Sequence, residues 1–166
     1  LRTVHAGLVA AILVWTFLFL RRAAGNAALA ACAGTVWLAL AWYRLIQFRP
    51  ELTSLLAILG LTTLLFSRAR PPGLARIGIC LALFVVWANT HSLFAVGLAL
   101  LLAAGLGLVL ERGLLTWVGE TASDAERTRT TQLALVLGLS VLVTAFNPRG
   151  FEQHMTFLVE SASGDI

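Results

Sequence analysis

The side chains able to do chemistry in this chain are few, and they fall into three short groups. Arg44, Gln47, Arg49 and Glu51 form the first, Asn89, Thr90, His91 and Ser92 the second, and Asn147, Arg149, Glu152 and His154 the third. A guanidinium holds a phosphate through paired hydrogen bonds, and an imidazole donates to one or carries a proton near neutral pH. Pro50 follows Arg49 and suits the first turn of a helix, where its missing N–H costs nothing, so Arg49 stands at a fixed helix entrance. Asn147-Pro148 has the form of an N-cap followed by a first-turn proline, with Arg149 beside a helix N-terminus suited to an anion. The candidate binding residues are therefore Arg49, Asn89, His91, Asn147 and Arg149. Each has a plainer reading. Arg49 snorkels to headgroups in general, Asn89 caps the following helix, and His91 bonds Asn89 or a backbone carbonyl at a hairpin tip. Asn147 and Arg149 then merely open an amphipathic segment.

The elements that carry these groups are set by composition. Of 166 residues, 59% are hydrophobic and 12% charged, with a mean hydropathy of +0.89, far from the soluble average. This predicts an integral membrane protein. Apolar runs cover residues 4–20, 27–43, 51–66, 77–88, 93–110 and 131–146. None alternates with period two, and lipid offers no partner to an open strand edge, so the runs must be helices. The expected fold is all-α: a single polytopic transmembrane bundle over residues 1–166 with about six spanning helices, and a fragment of a longer chain is expected because it begins at Leu1 and its first apolar run lacks a cleavage site. Each run falls a little short of the ~20 residues a crossing needs, so flanking Trp, Tyr and Arg complete several of them. Small residues at every fourth position, Ala27, Ala31, Thr35 and Ala39, then Ala95, Ala99, Ala103 and Gly107, predict close helix packing. Ser123-Asp124-Ala125-Glu126 is a capping-box pattern opening the helix that runs into the last span. Phe151, Met155 and Leu158 recur with helical spacing and predict a short interfacial helix.

Charge orients the chain. All twelve basic residues are Arg, against eight acids, for a net charge of +4. Arg21, Arg22, Arg68, Arg70, Arg76, Arg112, Arg127 and Arg129 fall on one side of the runs, and Arg2, Arg44, Arg49 and Arg149 on the other. The Arg-rich side is expected in the cytoplasm, which places all three polar groups on the extracytoplasmic face of a bacterial inner membrane, lining one shared cavity. Scattered arginines without interleaved aromatics exclude a nucleic-acid surface. Cys32 and Cys80 lie inside apolar runs as small hydrophobes. No metal-ligand spacing, phosphate-binding glycine loop or nucleophile set is present, so no cofactor or metal is expected.

Arg49-Pro50-Glu51-Leu52 before a span, Trp87-Ala88-Asn89-Thr90-His91-Ser92-Leu93-Phe94 at a hairpin tip and Asn147-Pro148-Arg149-Gly150 after a later span together resemble bacterial multi-pass proteins of the C-type glycosyltransferase superfamily. That group includes protein mannosyltransferases and lipid A sugar transferases. Its members usually carry Gly where this chain has Ser92, and often Tyr where it has Arg149. The resemblance implies sugar transfer from a polyprenyl-phosphate donor on the extracytoplasmic face. Arg49, His91 and Arg149 would be donor-phosphate or acceptor contacts, and Asn89 and Asn147 supports. The catalytic acid of that superfamily lies in a first periplasmic loop that would precede Leu1, so no residue here inherits the role of base. Two other readings stand beside it: a transporter or flippase segment for a lipid-linked substrate, and a non-catalytic structural subunit.

Overall fold

Long stretches of Leu, Ala and Val leave the backbone to satisfy its own hydrogen bonds, and it does so in helices alone. The computed structural model describes residues 2–47, 51–66, 71–121 and 123–163, the side chains of 44, 157, 158 and 160–163 excepted. Among these residues the order is α1 (Arg2–Ala24), α2 (Ala27–Ile46), α3 (Glu51–Phe66), α4 (Leu74–Thr90), α5 (Phe94–Trp117), α6 (Asp124–Val143) and α7 (Glu152–Ser163), with no strand. They divide into two compact units, Leu1–Ser67 and Arg68–Ile166.

In the first unit a two-residue connection folds α2 back along α1. Asn26 makes the start of α2 by accepting from the N–H groups of Ala28 at 2.8 Å and Leu29 at 3.4 Å, two of the donors every helix N-terminus leaves open. Ile12, Leu45 and Leu52 form the buried centre, flanked by Leu13, Trp37, Leu38 and Leu56. Two polar ties fix the register. His5 Nε2 lies 2.8 Å from the Leu45 carbonyl, joining α1 to α2. Trp15 Nε1 donates to Thr63 Oγ1 at 3.1 Å, joining α1 to α3.

In the second unit α6 packs against both α4 and α5. Phe84, Trp87, Phe94, Leu101, Leu133 and Val136 fill its centre. The approach of α5 to α4 rests on Gly97: a Cβ there would stand 2.5 Å from the Trp87 ring and 3.0 Å from that of Phe84. The capping box forms as expected. Ser123 Oγ accepts from the Glu126 N–H at 3.3 Å, and the Glu126 carboxylate accepts from the Ser123 N–H at 2.7 Å and hydroxyl at 2.8 Å.

The small-residue stripes do not make the packing. Ala27, Ala31, Thr35 and Ala39 are exposed, as are Ala99, Ala103 and Gly107. Helix α2 buries Ala30 and Leu45 instead, and α5 buries Phe94, Gly97 and Leu101. The inward faces mix small and large residues, with Gly97 of α5 set against the Trp87 and Phe84 rings of α4. Cys80 is buried, whereas Cys32 is exposed on the outward face of α2.

Two helices, α1 and α5, are long and apolar enough to cross a membrane. At 1.5 Å per residue they reach about 34 and 36 Å. Only 11% and 17% of their most apolar windows are buried, so neither is the wrapped core helix of a water-soluble domain. Three shorter apolar helices accompany them, Ala27–Tyr43, Glu51–Phe66 and Leu74–Thr90. Outward-facing Val14, Leu40, Trp42, Leu102, Leu110 and Leu114 continue the apolar exterior.

Candidate functional site

The polar end of the second unit is assembled by the α4–α5 hairpin tip and the corner that follows α6. Asn89 stands in the last turn of α4. Its Nδ2 donates to the Val85 carbonyl within its own helix at 2.8 Å and to the Phe146 carbonyl at 2.9 Å. Asn89 is thus a cross-tie between elements and not the cap of α5. At the other end of the tip, Phe94 is fully buried and meets the His154 ring edge-on, with centroids 5.0 Å apart. The tip, residues 89–94, is consequently fastened at both ends to residues 146–154.

His91 lies between those fastenings. Its Nδ1 accepts from the Leu93 N–H at 3.1 Å, which ends α4 and starts α5 in the absence of a capping hydroxyl. With Nδ1 as acceptor, the neutral ring carries its proton on Nε2 and offers one donor. Leu93 contributes no side-chain cap to α5, so His91 takes that role in part.

Asn147 does not open a helix directly. Its Oδ1 accepts from the Arg149 N–H at 2.8 Å, while Nδ2 donates to the carbonyls of Thr144 and, at 3.1 Å, Gly150. This is a side-chain-braced turn. Gly150, at φ +54°, takes the left-handed conformation that L side chains resist, and α7 starts only at Glu152. Arg149 is exposed on this turn. Arg49 lies outside the described residues, and the side chain of Arg44 does too.

A buried cluster sits beneath the tip. Thr144, fully buried, donates to the Ser140 and Val141 carbonyls, both at 2.9 Å. Its oxygen lies 2.9 Å from His154 Nε2. The hydroxyl proton being engaged, His154 Nε2–H is the donor, and Nδ1 is left buried without a partner. Phe151 stands 5.6 Å from the His154 ring on its other side. Burial among these groups holds the His154 pKa below its ordinary value. Thr144 carries no mark of a site in the sequence, and of the cluster only His154 stands among the polar side chains singled out there.

Among the described residues no three His, Cys, Asp or Glu side chains gather as metal ligands would. With the Arg149 and Gly150 N–H groups engaged inside the braced turn, the groups left at this end are the His91 Nε2–H and the exposed Arg149 guanidinium. Both are donors, and they suit an anionic or hydroxyl-rich ligand. Comparison of the chain with family models, with curated proteins and with solved structures gives no match.

Proposed function

We propose that this chain crosses a bacterial inner membrane about six times and that the His91–Arg149 end of its second unit binds the phosphate of a polyprenyl-phosphate sugar donor. On this reading it belongs to a glycosyltransferase-type system acting on the extracytoplasmic face. The membrane part is supported by the two long apolar helices and by the apolar side chains that face outward all along them. Helices α2, α3 and α4 complete their crossings with flanking Trp, Tyr and Arg, and α6 crosses with its apolar two-thirds. The site part is supported by one observation above all: the double fastening of tip to corner, Asn89 to Phe146 and Phe94 to His154. It holds the His91 donor and the Arg149 guanidinium at the same end of the unit.

One observation favours a second reading, that of a non-catalytic structural subunit. Both asparagines and His91 Nδ1 are engaged by the backbone, which is how scaffolding residues behave. Binding of a polyprenyl-phosphate sugar to the full-length protein separates the two. The transferase reading expects His91→Ala and Arg149→Ala each to weaken binding about tenfold, the factor for losing one hydrogen bond to a charged group. Unchanged binding in the double variant removes the site. Orientation is tested by Thr90→Cys, which an impermeant reagent should label from outside the cell; labelling from the cytosol only would overturn the topology.

A further inference from the structure

A second feature lies in the first unit, far in sequence from the residues above. Helices α1 and α3 leave between them a groove of about 450 Å³, lined by Val14, Trp15, Leu18, Phe19, Thr63 and Phe66, with Arg22 at one end. Its volume falls within the roughly 300–1,000 Å³ typical of ligand sites. The polar atoms in its wall are engaged with each other, since Trp15 Nε1 donates to Thr63 Oγ1. What remains along its length is hydrocarbon and aromatic surface.

Among the described residues its charged end has no partner. Arg22 is exposed in the last turn of α1, and among the described residues no ion pair or hydrogen bond engages it. The acid of the first unit, Glu51, opens α3 and stands twelve residues before Thr63, about 18 Å along the helix. An apolar slot closed at one end by an unneutralised guanidinium matches an amphiphile with an anionic head.

We propose that this groove holds one chain of an anionic phospholipid, with its phosphate on Arg22. The guanidinium supplies paired donors to the phosphate oxygens, and the chain covers Val14, Leu18, Phe19 and Phe66. Arg22 belongs to the Arg-rich side of the proposed topology, so this lipid is drawn from the cytoplasmic leaflet. The site goes beyond the transferase reading and rests only on the chain residing in a bilayer.

The full chain in nanodiscs of equal phosphatidylglycerol and phosphatidylcholine, released and weighed by native mass spectrometry, tests this. Wild type should retain phosphatidylglycerol over phosphatidylcholine by about tenfold, the order expected for one net charge beside a partly solvated guanidinium, because both phosphates accept from Arg22 but the choline cation cancels the charge of the second lipid. Arg22→Gln should abolish the preference, and Arg21→Gln, which removes the same charge one residue away but does not line the groove, should keep it. Leu18→Trp, which fills the slot, should lower retention of both lipids. Preference surviving in Arg22→Gln, equal losses in the two arginine variants, or no retained lipid in wild type would each overturn the proposal. Sugar-donor binding should be indifferent to all three substitutions, so the two readings fail separately.

Discussion

The hydroxyl of Thr144 and Nε2 of His154 meet at 2.9 Å, and this contact docks α7 onto the end of α6. Because Thr144 already donates to two carbonyls, it receives the histidine proton, and the far ring nitrogen is buried and bare. Protonation of that nitrogen places a charge among Phe94, Phe151 and Thr144, with no carboxylate bonded to the ring among the described residues to compensate it.

Docking of α7 should therefore depend on pH. The docked histidine has the lower pKa, so as pH falls the undocked form takes up its proton first. The docking stability is fully present above about 6.5, the ordinary histidine value, and is lost as pH falls through the depressed one. Hydrogen exchange of the α7 amides should accelerate across that window and become pH-indifferent, after correction for intrinsic rates, in His154→Phe.

Thr144→Val removes the acceptor while preserving shape. The cost should be about 1 kcal/mol, or about fivefold faster α7 exchange, since the half-buried ring can turn its N–H partly to water. No change in exchange would show that the ring stacking alone holds α7.

Gly97→Leu should destabilise the second unit by about 1–3 kcal/mol in mixed-micelle unfolding, because the added side chain overlaps the Trp87 ring. Trp87→Leu in the same background should recover part of the loss, whereas additive losses would place the damage elsewhere. Gly107→Leu, on an exposed face with open space around it, should cost far less.

Asn89→Ala cuts the bond from α4 to the Phe146 carbonyl. An expected loss of about 1 kcal/mol should appear as faster exchange at residues 146–150, with α4 itself little changed because its helical hydrogen bonds remain. Uniform acceleration over the whole unit would mean the tie supports the entire core.

Ser123→Ala should fray the first turn of α6 and release Glu126. The Ser123 hydroxyl and N–H hold the Glu126 carboxyl below its usual range, so the cap is complete above about 4.3 and is lost as pH falls through the lowered value. In the variant the Glu126 titration followed by NMR should move up toward the ordinary value; an unmoved titration would leave the cap without a role in it.

Much of the architecture was legible because it depends on local chemistry. The start of α6 follows from Ser123 and Glu126 alone, and α3 begins and ends where its apolar run does. Packing faces were not legible. In a chain where Ala and Leu fill nearly every position, periodicity marks no single inward face, and the stripe that packs is centred on Gly97 because Trp87 happens to lie opposite. The site shows the same division. The sequence singles out Asn89 and Asn147, but the carbonyls they bond, Phe146 and Gly150, are backbone groups without residue-type signature. The Thr144–His154 contact joins side chains ten residues apart across a turn whose shape depends on Gly150.

On the proposed six-span reading, the uneven make-up of α6 sets a depth for the second unit. Asp124, Glu126, Arg127 and Arg129 crowd its first six positions, and no ionisable group follows before Val143. Sinking the helix by one turn, about 5.4 Å, would drag Arg129 toward the oily interior at a cost approaching roughly 2.5–3.5 kcal/mol, and raising it would strand leucines in water. Vertical travel is thereby blocked in both directions, and the neighbours clasped to α6 inherit the same fixed height.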